Sequence, residues 1–303
     1  MNSEICDSAF MAMARRGLLV FSGRASALCL SVLWGLAATG GLAGCSASCP
    51  ALRFTDPSHA LLQHRQQRAN ARTMRAEARV EQFGGREGRI RGTVMMFVEQ
   101  PDRVRFDVLS QFGPVMTLSS DGSRFALTDL RENRFLAGRT CPQNIERLLG
   151  VAMSGEEVAR LLRGEPPRSE GARASLECTR HGGQLLRLHG DDGRIQEIVY
   201  EVPERDALLP LSDQRLQLMR SQLFDAQGRT LWRATYADYR DVPVEAAKPV
   251  RMPFAVRFID KSGADTSFYF KEIELNVAIP AGAFVQAPRP GVSVELVACG
   301  LET

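Results

Sequence analysis

Long apolar runs are scarce in this 303-residue chain, and aromatic residues make up only 7% of it. Beyond residue 44 no run reaches the ~18–20 apolar residues that a membrane helix needs. Histidine is rarer still. His59, His64, His181 and His189 fall in no metal-ligand pattern, and no Cys-x-x-Cys pair occurs, so no metal site is expected. Enzyme signatures are missing as well: there is no Gly-x-Ser-x-Gly elbow, no phosphate-cradling glycine loop and no His-Glu-x-x-His. Ser154 reads as a helix cap rather than a nucleophile. Asp191-Asp192 and Glu156-Glu157 read as polar turns rather than an acid/base pair. No catalytic residue and no cofactor is therefore expected. Charge of one sign is absent too, with 38 Lys+Arg against 35 Asp+Glu and a net charge of +3. The basic residues are nearly all arginines scattered among acids, with no basic stripe, so nucleic acid is not an expected partner.

What is present starts with a sorting signal. Arg15, Arg16 and Arg24 form a basic flank, Ala25 to about Leu36 is largely apolar, and small residues lead to Leu42-Ala43-Gly44-Cys45. This pattern describes a secretory signal over residues 1–44, not a spanning helix, with Met11 or Met13 as alternative starts. Leu-Ala-Gly-Cys resembles the bacterial lipobox. The resemblance implies cleavage before Cys45, a diacylglycerol thioether on its sulfur and an N-acyl chain. More than one acyl chain gives stable anchoring. Ser46 in the next position implies, on the same resemblance, the outer membrane, with the folded part facing the periplasm. An ordinary signal peptide with a chance cysteine is the plainer alternative. Residues 45–56 would be a tether and 57–303 a single domain.

Cys49, Cys141, Cys178 and Cys299 remain beyond Cys45. Four thiols in an oxidising compartment suggest two disulfides, with three possible pairings. Cys141–Cys178, closing a helical segment, and Cys49–Cys299, tying the termini, are the favoured pair.

Asp56-Pro57-Ser58 opens a helix that the pattern carries to about Met74. A meander of short strands follows: Arg75–Gln82, Arg89–Gln100, Arg103–Ser110, Pro114–Ser120, Phe125–Leu130 and Arg134–Gly138. In the third, Val104, Phe106 and Val108 alternate with Arg103, Arg105 and Asp107, giving one apolar face. After Arg139 the period changes. Thr140 with Gln143, and Ser154 with Glu157, resemble capping boxes for two short amphipathic helices, in an insert of about residues 140–164. Strands resume at Arg173–Thr179, Gln184–His189, Ile195–Val202, Arg215–Phe224, Thr230–Tyr239, Arg251–Asp260 and Thr266–Asn276. Ile279–Phe284 looks like a short turn of helix, and a tail follows that Cys299 could pin. The reading is mainly β with a few helices. An apolar helix pair inserted in such a chain must bury its faces on the sheet, as a fixed plug or a movable lid.

Gln100-Pro101-Asp102-Arg103-Val104-Arg105-Phe106-Asp107-Val108-Leu109 resembles a strand pair of the LolA/LolB lipoprotein-carrier superfamily. Ser110-Gln111-Phe112-Gly113-Pro114 resembles the Pro-Leu-Gly turn of its membrane-anchored receptor, and Cys141–Leu162 fits its inserted helices. The resemblance implies an incomplete antiparallel β-barrel, a half-barrel whose apolar cavity takes acyl chains. Each buried methylene would favour a hydrocarbon by ~0.8 kcal/mol. Val94, Met96, Val104, Phe106, Val108, Met116, Leu118, Phe254, Val256 and Phe258 are the candidate cavity residues. Leu148, Leu149, Leu161 and Leu162 are the candidate lid. Phe112 takes the place of the apolar turn residue that inserts into the bilayer; the bland alternative is a ring folded back onto the sheet. Expected partners are acyl chains of lipids or lipoproteins, the membrane surface and a periplasmic lipoprotein carrier, with the protein itself a monomer. The competing reading is a structural envelope lipoprotein whose half-barrel is filled by its own side chains.

Overall fold

The computed structural model describes residues 52–300, with the exception of 86, 87, 151, 168–172 and 180. Two consecutive meanders build one sheet. The first comprises β1 (Thr73–Gly85), β2 (Gly88–Glu99), β3 (Arg103–Ser110), β4 (Gly113–Ser120), β5 (Arg124–Asp129) and β6 (Arg134–Arg139). The second comprises β7 (Arg173–Cys178), β8 (Gln184–His189), β9 (Ile195–Glu201), β10 (Gln217–Phe224), β11 (Thr230–Val244), β12 (Ala247–Asp260) and β13 (Asp265–Leu275). They join where β1 pairs antiparallel with β13. A last strand, β14 (Ser293–Val297), adds to β6. The result is one open 14-stranded sheet in the order β14-β6-β5-β4-β3-β2-β1-β13-β12-β11-β10-β9-β8-β7. It is the expected unclosed barrel, with one departure: β14 runs parallel to β6.

The order dictates where the helices go. β6 lies beside one edge of the sheet and β7 forms the other edge. The connection between them has to cross a face of the sheet, and it does so as α2 (Pro142–Leu149) and α3 (Gly155–Leu162). Their amphipathic pattern suits that path: Ile145, Leu149, Val158, Leu161 and Leu162 are buried, whereas Glu146 and Glu156 are exposed. Ser154 caps α3 as read, accepting from the Glu157 amide at 3.1 Å while the Glu157 carboxylate accepts from the Ser154 amide at 2.9 Å. Gly150 closes α2 in the left-handed region at φ 68°, where a Cβ would collide with the Gln82 side chain.

Several sequence expectations are corrected. The first helix, α1 (Pro57–Arg68), stops short of Met74, because Thr73 and Met74 are drawn into pairing with Glu99, Val98 and Leu275. Thr140 does not cap α2. The N-cap is Cys141, with no side-chain cap bond, and the Thr140 hydroxyl instead bonds Ser120 Oγ at 2.8 Å. Ile279–Phe284 forms successive turns, not a helix: Ala283 N–H reaches only the Pro280 carbonyl and Val285 N–H only Gly282.

The disulfide pairing is also different. Cys141 bonds Cys299, with Cα atoms 6.0 Å apart. The parallel register sets Val297 beside Gly138, which delivers Cys299 to the start of α2. Cys178 ends β7, on the far edge of the sheet, and so the expected Cys141–Cys178 bridge is not formed. Cys299 is thereby excluded as the partner of Cys49. Cys178 is itself disulfide-bonded. Cys45 and Cys49 lie outside the described residues.

Candidate functional site

Strand register places the ten candidate cavity side chains on one face. Val94, Val108 and Met116 stand in one row across β2–β4. Met96, Phe106 and Leu118 form the next row, which continues into Leu127 and Leu136. Val98 and Val104 begin a third. On the other meander, Phe254, Val256 and Phe258 alternate along β12, and Val256 pairs with Phe268, which pairs in turn with Val80 of β1. Because paired residues share a side, this is one continuous inner face.

α2 and α3 lie against that face. The candidate lid residues Leu149, Leu161 and Leu162 are buried in the same apolar cluster as the floor, and Leu148 packs at its margin. Thr266 Oγ1 donates to the Leu149 carbonyl at 3.0 Å, tying the end of α2 to β13. Met96, Val104, Phe106 and Leu118 have no exposed surface, so the helices cover the centre of the floor fully. Coverage thins toward one end. Val80, Val108 and Met116 are only half-buried, and they are the inner residues closest to the β3–β4 turn.

That turn carries Phe112. Ser110 pairs with Gly113, leaving Gln111 and Phe112 as a two-residue loop. Ser110 Oγ accepts from the Phe112 amide at 3.1 Å and donates to the Gly113 carbonyl at 2.9 Å. Gly113 supplies the positive φ of 109°. The Phe112 ring is 91% exposed, so it does not fold back onto the sheet. At the base of the same hairpin, Arg105 clasps Asp107 through Nε at 2.8 Å and Nη2 at 3.0 Å. Its Nη1 donates to the Ala283 carbonyl at 2.9 Å. Gln286 adds donor bonds to the Thr117 and Ala126 carbonyls and to Ser119 Oγ. The C-terminal segment thus braces the outer side of the hairpin.

The far half of the inner face is covered by α1, whose buried residues Ala60, His64 and Arg68 lie along one edge. The His64 ring rests 4.9 Å from that of Tyr200. Burial, aided by the positive charges of Arg68, Arg160 and Arg65, pushes the His64 imidazole well below its usual range. Burial likewise raises the Tyr200 and Tyr236 hydroxyls. The sequence reading missed this edge, and it missed Phe268 and Phe270 on the inner face. The alternation of Thr266, Phe268 and Phe270 was the available signal for the latter. No group of His, Cys, Asp or Glu among the described residues could hold a metal, and no helix among them is long and apolar enough to cross a membrane.

No protein-family model matches the sequence, and no curated protein matches it. Solved structures do resemble it. A LolA superfamily protein from Nitrosomonas europaea is 12% identical, with 77% of this chain and 99% of that chain covered and a TM-score of 0.48. A DUF1329 family protein from Desulfovibrio piger is 10% identical, with 78% and 98% covered and a TM-score of 0.52. At such identities likeness speaks to fold and not to activity. The likeness to the DUF1329 protein is one of fold alone.

Proposed function

We propose that this protein is a lipid-anchored periplasmic carrier or receptor that takes acyl chains of lipids or lipoproteins on the inner face of its half-barrel. Its role would be in placing lipoproteins at the outer membrane. The observation that carries the reading is Phe112, held fully in water at the least covered end of an apolar floor. A ring presented on a tight, braced hairpin suits insertion among lipid chains, and the half-covered Val80, Val108 and Met116 would receive cargo arriving at that end. Acylation of Cys45 would hold the domain at the membrane, and a periplasmic carrier would deliver the lipoprotein. The activity is binding and transfer, with no covalent step and no cofactor.

The structural reading draws on a different observation. The centre of the floor is packed by Phe106, Met96, Leu118 and Phe258 against α2 and α3. The carrier reading therefore requires the helix pair to move when cargo enters. Native mass spectrometry of delipidated protein titrated with palmitate separates the two. A saturating 1:1 adduct is the expected result. Its absence leaves the filled half-barrel as the function.

A further inference from the structure

At the end of the sheet opposite Phe112, the C-terminal half of α1, the loop 206–216 and the start of β12 enclose a cleft of about 570 Å³. That volume suits a small organic ligand, since such sites span about 300–1,000 Å³. Its charges are unevenly matched. Asp206 is engaged by Arg215 through Nε at 2.7 Å and Nη2 at 2.8 Å. Asp241 is shared between Arg205 and Arg251, each at 3.3 Å, and Arg215 at 3.6 Å. Two lining cations stand outside these pairs and have no carboxylate partner among the described residues: Arg68 and Lys248. Asp213, exposed on the loop, is the one lining acid in the same position.

Arg68 is the unusual member. It is 3% exposed, yet its guanidinium meets only neutral groups: Nε donates to the Arg163 carbonyl and Nη2 to the Arg251 carbonyl, both at 3.1 Å, and the Tyr239 hydroxyl is a further side-chain partner. Carbonyls orient a guanidinium without neutralising it, and a buried charge lacking a counter-ion is costly. An oxyanion in the cleft would supply that counter-ion, with Lys248 as a mobile second contact on the exposed side. Leu209, Leu216 and Pro249 line the same cleft, and Leu208 beside them is 88% exposed. These apolar side chains have no use for bare phosphate but would accept a substituent on it.

The geometry points to a binding site for a phosphate monoester with an apolar substituent, at the α1-covered end of the sheet and apart from the Phe112 end. The phosphate sits between Arg68 and Lys248, and the substituent lies on Leu209 and Pro249. The same phosphate chemistry is offered by a lipid head group and by the free anion. Isothermal titration of the whole protein with inorganic phosphate and with hexyl phosphate, using hexanol as the uncharged control, distinguishes them. Hexyl phosphate is expected to saturate at one per chain, and Lys248→Glu to weaken it at least tenfold. Tighter binding of hexyl phosphate than of phosphate assigns an ester; equal binding assigns the free anion at the same site. No saturable binding of either, or a Lys248→Glu protein that binds as wild type does, overturns the proposal. Lys248 is exposed at the end of the sheet opposite Phe112, so palmitate uptake by Lys248→Glu protein is expected to be unchanged.

Discussion

A phenylalanine ring kept in water forgoes about 1.5–3 kcal/mol of burial, and Phe112 is 91% exposed although its hairpin is pinned on both sides. Ser110 fixes the turn, and Arg105 and Gln286 fix its base, so the ring cannot readily swing back to recover that energy. The same energy is regained if the ring enters a bilayer. Phe112→Glu is expected to leave the circular dichroism spectrum and palmitate binding intact. It should weaken association with lipid vesicles roughly ten- to a hundredfold and abolish transfer of bound lipid. Unchanged transfer would dismiss the role. His64 makes a second residue-scale prediction. Its imidazole is buried, neutral and faced by Arg68, Arg160 and Arg65, so its pKa in the folded state lies below that of the unfolded chain. Below about pH 6.5 the unfolded state binds a proton that the folded state refuses. Stability should fall with pH there by at most about 1.4 kcal/mol per pH unit. His64→Phe should flatten that slope in denaturation curves taken between pH 7.5 and pH 5, and an unaltered slope would assign it to other groups.

Among the elements, β14 and the helix pair are the coupled parts. The Cys141–Cys299 bond joins the end of the C-terminal segment to the N-cap of α2 across 158 residues of sequence. Replacing both cysteines with alanine should cost about 2–5 kcal/mol in denaturant unfolding and speed amide exchange in β14 and α2 before the central strands. Equal protection with and without the bond would show that packing alone holds the segment. These elements also mark what was legible beforehand. The alternation of Val104, Phe106 and Val108 and the Ser154–Glu157 cap were local signals, and local rules located β3 and α3. The pairing of Cys141 was not legible, because it depends on a parallel addition of β14 to β6, a contact that leaves no period in the chain. The end of α1 was misjudged for a similar reason: residues with helical character were recruited by strands from two distant segments. The exposure of Phe112 could be read either way until the packing around its turn was known. Arg68 was passed over because a buried arginine on a polar helix looks like any solvated one.

In the whole molecule, one topological fact organises the rest. The two meanders meet through β1 and β13, which leaves β6 and β7 far apart and sends α2 and α3 across the apolar face between them. A fixed plug and a movable lid would be built alike in this arrangement. The difference lies in whether the floor under the helices can exchange its contacts with Leu149, Leu161 and Leu162 for contacts with a hydrocarbon. Each helix is only eight residues long, too short to hold its shape without the sheet, so displacement by an acyl chain would register in its amides. Hydrogen exchange of delipidated protein, measured with and without saturating palmitate, tests the account most directly. The account predicts that exchange in α2 and α3 changes on binding while that in β8–β10 stays the same. Identical exchange in both helices at saturating palmitate would contradict it.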